Sequence, residues 1–146
     1  MQVEFRIDET CTEPKVLVLA SGMTDEVARL LRRLTAEAPP ALSGFREGEA
    51  ALLEPSDIVR VHTSGGRVVA VTTRGEYQLR QRLYELEARL DPAVFVRISH
   101  SEIINLRRTK GFDLSLAGTI RVTMDNGDTA YVSRRYVAKI RGILGL

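Results

Sequence analysis

Residues 95–106 read F-V-R-I-S-H-S-E-I-I-N-L, and the rest of the chain is organised around them. Phe95 and Ile98 are apolar positions in a short strand-like run. Ser99 is followed three residues later by Glu102, the spacing with which a capping box starts a helix. The stretch therefore predicts a strand that ends near Ser99 and a helix that begins there and buries Ile103, Ile104 and Leu106. His100 and Ser101 fall in its first turn, where backbone N–H groups lack intrahelical partners and the dipole is positive. Such a turn suits an anion.

Downstream, Phe112, Leu114 and Leu116 alternate, as do Ile120, Val122 and Met124. Asp125-Asn126-Gly127-Asp128 is a type I′ hairpin signal before a strand at Ala130 to Val132. The pattern is a β-meander. Ser133 then caps a last helix with Val137, Ile140 and Leu144 on its buried side. Arg134 and Arg135 occupy the first turn of that helix, where the dipole opposes each cation by roughly a few tenths of a kcal/mol. Two guanidinium forks beside free N–H groups suit phosphate oxygens or the O6 and N7 edge of guanine, with plain solvated surface as the alternative.

Upstream, Leu79, Leu83, Leu86 and Leu90 mark one side of a helix closed by Asp91-Pro92. Short extended pieces precede it at residues 42–46, 50–53, 58–63 and 67–72. Ser64-Gly65-Gly66 reads as a hairpin turn, because paired glycines supply positive φ. The Walker spacing that would make it a phosphate loop is missing. A second hairpin passes through Gly75-Glu76. Towards the start of the chain, Val3, Phe5 and Ile7 alternate and Val16 to Ala20 is a buried-type run, so two strands are expected. Thr24 caps a helix whose stripe is Val27, Leu30, Leu31 and Leu34, with Arg29, Arg32 and Arg33 on its polar side and Pro39-Pro40 at its end.

A chain of 146 residues with 44% hydrophobic residues has the size and core of one ordinary domain. Aromatic residues make up only 5% and tryptophan is absent, so no platform for stacking single-stranded bases is evident. Cys11 alone allows no internal disulfide, and with two histidines it makes no ordinary zinc site. Neither a signal peptide nor an apolar run of ~18 residues occurs, so a soluble, cytoplasmic protein is expected. Residues 1–54 carry six Lys/Arg and ten Asp/Glu, while 55–146 carry fifteen and nine. An acidic front and basic back suggest polyanion binding by the back half, unless the partition is chance. His62, His100 and Cys11 are scattered without the spacing of a catalytic or metal constellation, so no enzyme and no cofactor are expected.

Four ordered pieces, D-I-V-R-V-H-T from Asp57, the run from Phe95, N-G-D from Asn126 and Y-V-S-R-R-Y-V from Tyr131, together resemble the LytTR family of DNA-binding domains. The resemblance covers about residues 50–146. It implies an α+β fold, mostly antiparallel β with helices packed on small sheets, whose loops enter successive major grooves of duplex DNA. It also implies bacterial transcription control. Carried over residue by residue, the contact regions fall on the turn from Ser64 to Arg67, on His100 with Ser101, and on Arg134 and Arg135. Asn105 belongs to the motif as a residue holding loop backbone, and Arg97 pairs with either a carboxylate or a phosphate.

Two departures stand out. Gly65-Gly66 occupies the tip of the first contact loop where many relatives carry a larger polar side chain, which leaves base reading there to Ser64 or Arg67. Only about 50 residues precede the LytTR-like part, too few for a receiver domain. The expected organisation is a strand-helix extension over residues 1–49 and a DNA-binding domain over 50–146. The family commonly occupies paired repeats, which implies a homodimer on repeated sites, and the front segment resembles that of small stand-alone LytTR regulators, which implies a small membrane protein partner encoded nearby. A non-enzymatic module that binds protein or RNA through its basic face is the alternative.

Overall fold

The computed structural model describes residues 1–35 and 42–146. The chain forms two compact units, Met1–Ala38 and Pro39–Leu146. In the first, helix α1 (Asp25–Thr35) starts where expected: Thr24 Oγ1 accepts the Val27 N–H at 3.2 Å, and Asp25 and Glu26 occupy the electropositive first turn. Pro39 and Pro40, expected to end it, lie outside the described residues. The two strands expected at residues 3–7 and 16–20 do not form. Val3, Phe5, Ile7, Val16, Leu17 and Leu19 are exposed, and a turn closed by the Cys11 N–H on the Asp8 carbonyl lies between the two runs. Alternation alone does not make a strand, because two five-residue runs bury too little to hold a hairpin in water.

The second unit is α+β with every strand pairing antiparallel. Strands β1 (Leu42–Arg46), β2 (Glu49–Leu53), β3 (Ile58–Ser64), β4 (Arg67–Thr72), β5 (Gly75–Leu79), β6 (Phe95–Ser99) and β7 (Glu102–Asn105) form a sheet in the order β2-β1-β5-β4-β3-β7-β6. The meander β8 (Thr109–Asp113), β9 (Ile120–Met124) and β10 (Thr129–Val132) forms a second sheet. Helix α2 (Leu83–Arg89) links β5 to β6, and α3 (Arg134–Ile143) follows β10. Among the described residues no helix is long and apolar enough to cross a membrane.

Two buried clusters lie on the two faces of the larger sheet. Ile58, Val61, Phe95 and Ile103 pack with Leu83 and Leu86 of α2. Val59, Val96, Ile98 and Ile104 pack with Val122, Met124 and Val132 of the meander and with Ile140 of α3. Strands β3, β6 and β7 are therefore covered on both sides, each fully buried aliphatic side chain contributing ~1.5–3 kcal/mol. This corrects the strand-then-helix expectation for residues 95–106. Ile103 and Ile104 are neighbours buried on opposite faces, which the two-residue period of a strand allows. Glu102 reaches across to Arg60 instead of capping Ser99. A strand buried on both faces reads as a continuous apolar run, which periodicity alone does not separate from a helix.

Smaller differences have similar causes. Leu79 belongs to β5, where it pairs with Val68, so α2 holds only Leu83 and Leu86 of the leucine stripe, with Leu90 as its C-cap. Leu114 and Leu116 lie exposed beyond the end of β8. Gly65 and Gly66 both have positive φ, 57° and 76°, as the turn between β3 and β4 requires. In the β9–β10 connection only Gly127 does (φ 90°), and the Met124 N–H donates to the Asp128 carbonyl at 2.8 Å. That is a longer turn with one left-handed glycine, not type I′. The turn after β4 is at Thr73-Arg74, with Gly75 opening β5.

Candidate nucleic-acid interface

Ser64 and Arg67 face each other across the Gly65-Gly66 turn as the last pair of the β3–β4 hairpin, and both are exposed. His100 and Ser101 form the turn of the β6–β7 hairpin and are likewise exposed. The two turns are joined, because the Thr63 N–H donates to the Ser101 carbonyl at 3.0 Å. Within the second turn, the Ser101 N–H donates to Ser99 Oγ at 3.2 Å. Arg67 and His100 line the same cleft.

Arg97 fixes the second turn from inside. The residue is 9% exposed; Nε donates to the Ser99 carbonyl at 2.7 Å, Nη2 donates to the His100 carbonyl, and Nη1 meets Glu87 Oε2 of α2 at 2.7 Å. A register shift between Arg97 and Ser99 leaves Ile98 as an extra residue on β6 and re-aims this end of the strand. Of the two partners open to Arg97 in the sequence, the structure selects the carboxylate. Asn105 acts as expected: it is 1% exposed, its Nδ2 donates to the Ile58 carbonyl at 2.8 Å, and its Oδ1 accepts the Arg107 N–H at 2.9 Å. The bulge between Ile58 and Arg60 interrupts the β3–β4 ladder at that point.

The third expected region stands at the start of α3. Ser133 has N-cap backbone angles, but its hydroxyl makes no capping bond, and its N–H donates to the Ile98 carbonyl at 2.9 Å, tying the helix to β6. Arg134 and Arg135 are exposed. The Arg134 guanidinium lies against Gly118, and that of Arg135 is 6.0 Å from the Tyr136 ring centre. Neither arginine lines the cleft of the two turns.

Beneath the second turn, Arg60 on β3 bridges Glu102 at 3.3 Å and Asp128 at 3.0 Å, linking β7 to the β9–β10 connection. Burial pushes the Glu102 carboxyl above the ordinary carboxylate range, against the pull of Arg60 and His62. The hydrogen bond from Arg60 holds Asp128 below it.

Sequence reasoning missed Arg80 and Arg82. They lie in the L-R-Q-R-L connection between β5 and α2 and line the cleft with Arg67, Arg97 and His100. The signal available was two arginines in three residues, hidden by reading Leu79 to Leu90 as one helix.

Residues 48–145 match the LytTr DNA-binding domain family. Over 147 aligned positions the chain is 30% identical to an uncharacterized HTH-type transcriptional regulator of Staphylococcus aureus strain NCTC 8325 / PS 47, covering 100% of this chain and 99% of that protein. The counterpart from strain MRSA252 is 29% identical over the same span. A solved LytTr DNA-binding domain from Bacillus cereus has the same fold, with a TM-score of 0.70 at 21% identity over 73% of this chain and 97% of that one. Among the described residues no two α-helices of this chain are consecutive, since five strands separate α2 from α3. Its exposed basic and polar groups stand instead on hairpin turns and at a helix start, and by the match over residues 48–145 the chain belongs to the LytTr DNA-binding domain family.

Proposed function

We propose that the protein is a sequence-specific regulator of transcription that binds duplex DNA through loops set in successive major grooves. Ser64, Arg67, His100 and Ser101 form one contact surface, and Arg134 and Arg135 form the other. His100 and Arg135 read base edges, and the remaining arginines position the protein on phosphates. The observation that carries this reading is the rigid mounting of the turns. The Thr63–Ser101 bond joins them and Arg97 holds the second from behind, while the Ser101 hydroxyl shares a 3.3 Å hydrogen bond with that of Ser99. Base reading demands such fixed geometry, whereas a generally basic surface does not.

DNA binding is assigned to residues 50–146, with residues 1–49 as an extension that contributes β1 to the sheet, between β2 and β5. Two copies on repeated sites and restraint by a small membrane protein, both from the family resemblance, and a cytoplasmic location, from the cysteine content and the absence of a signal-peptide pattern, complete the reading. Binding to the duplex upstream of its own gene, against a shuffled duplex of equal length at two salt concentrations, tests it. Preference for the native duplex that survives the higher salt is the expected result. Equal binding to both, and to duplexes selected from random sequence, would refute it. Co-purification with the membrane protein, both being expressed, tests the partner, and repeated failure counts against it.

A further inference from the structure

The cleft between the two turns has a volume of about 760 Å³ and an unusual lining. Four arginines and His100 contribute to it, and no carboxylate does, although the chain carries 19 Asp and Glu. Elsewhere Arg60, Arg74, Arg108 and Arg121 each have a carboxylate within 4 Å, while Arg46 of β1 has none and instead donates to the Arg74 carbonyl and stacks on Tyr77. In the cleft only Arg97 is neutralised, by Glu87. Among the described residues the guanidinium groups of Arg67, Arg80 and Arg82 form no ion pair with a carboxylate and are exposed; the nearby Glu85 carboxylate accepts only the Arg82 backbone N–H, at 3.3 Å. The Arg80 guanidinium lies 4.0 Å from the Phe45 ring centre, a stack that orients it while leaving its N–H edges open. Like charges gathered in a concavity repel one another and focus a positive field there. Packing has no use for that arrangement, and an anion does.

We propose that this cleft holds the sugar-phosphate backbone of duplex DNA where it passes between the two turns, with Arg80 and Arg82 as phosphate contacts that the sequence motifs do not mark. The inference rests on the assignment of both turns to DNA. A duplex read by the Ser64–Arg67 turn on one rim and by His100 on the other brings its backbone across the space between them. Arg80 and Arg82 come from the β5–α2 connection, a segment outside all three expected contact regions. Their contribution is independent of base sequence.

Anisotropy titrations of the full chain over a salt series, with the upstream duplex and a shuffled one, test this. Each phosphate contact contributes ~0.9 to the slope of log K against log salt concentration. Arg80→Gln combined with Arg82→Gln is expected to lower that slope by about 2 and to weaken both duplexes by the same factor, on the order of 10-fold, leaving their ratio unchanged. The Arg80→Lys, Arg82→Lys pair, which keeps the charge, is expected to restore most of the slope. Arg121→Gln, removing an arginine already held by Asp113 at 2.9 Å, controls for net charge and should leave the slope as it was. An unchanged slope in the double Gln variant overturns the proposal, whether or not the wild type discriminates between duplexes. Failure of the wild type to discriminate overturns instead the reading of the turns. Saturable binding of inorganic phosphate or a mononucleotide that the double Gln variant loses, with the DNA slope unchanged, would show a site for a small phosphorylated ligand and also overturn the proposal.

Discussion

Replacing Arg97 by methionine keeps the apolar stem and removes the guanidinium that holds the His100–Ser101 turn. Three hydrogen bonds go: to the Ser99 carbonyl, to the His100 carbonyl and to Glu87. Bonds to a charged group contribute ~1.5–3 kcal/mol each when buried. The Glu87 side chain is 46% exposed, so water replaces its partner and that share is discounted. His100 is exposed and its carbonyl also rehydrates in part, whereas the Ser99 carbonyl lies deeper. The expected loss is therefore ~2–3 kcal/mol, below the ~3–5 kcal/mol for breaking a fully buried pair. With a urea m-value of ~1–3 kcal/mol/M, the midpoint falls by about 1 M or more at unchanged m. Glu87→Gln, which still offers an acceptor to Nη1, should cost about 1 kcal/mol or less. Under conditions where Arg97→Met remains folded, preference for target over shuffled duplex should fall more than binding to the shuffled duplex does. A variant within about 0.5 kcal/mol of wild type that keeps its preference would show that Arg97 does not hold the turn.

Asn105→Leu leaves the Ile58 carbonyl and the Arg107 N–H without their partner, and urea unfolding should show a loss of ~2–4 kcal/mol. Arg135→Ala should reduce discrimination between target and mutated sites by ~1–3 kcal/mol if the contact is to a base, and competition titrations would show equal weakening on all sequences if it is to phosphate. The raised Glu102 carboxyl sets a pH dependence of definite sign. The unfolded chain releases that proton near 4.5 while the fold holds it to higher pH, so stability falls as pH rises through that window. Glu102→Gln should remove this fall and leave the opposite effect of Asp128, whose stabilisation by Arg60 is lost as pH drops below 3.8; denaturation midpoints between pH 3 and 7 would show both.

The β3–β4 hairpin and the meander are legible because their turns carry local chemistry. Gly65-Gly66 and Asn126-Gly127 announce themselves, and Ile120, Val122 and Met124 alternate with one face buried. Residues 95–106 are not legible in the same way. Their apolar positions are set by two cores on opposite faces of the sheet, a tertiary fact that imposes no period on the sequence. The strands expected from Val3, Phe5 and Ile7 fail for the converse reason, since the pattern is present and the covering surface is not. Within the site, the polar turns around Ser64 and His100 stand out because loops with exposed side chains have no packing reason to be basic or polar. Arg80 and Arg82 do not stand out, because their meaning comes from residues 13 or more positions away that share the cleft. Arg97 was ambiguous for the same reason, Glu87 lying ten residues upstream and on another element.

Guanine N7 methylation interference on the target duplex, carried out with the wild type and with the His100→Ala and Arg135→Ala variants, tests the central claim most directly. N7 lies in the major groove, so two interfering clusters about one helical turn apart on one face of the DNA are expected, each variant losing its own cluster and keeping the other. Interference confined to a single groove, or a pattern that both variants leave unchanged, would contradict the account.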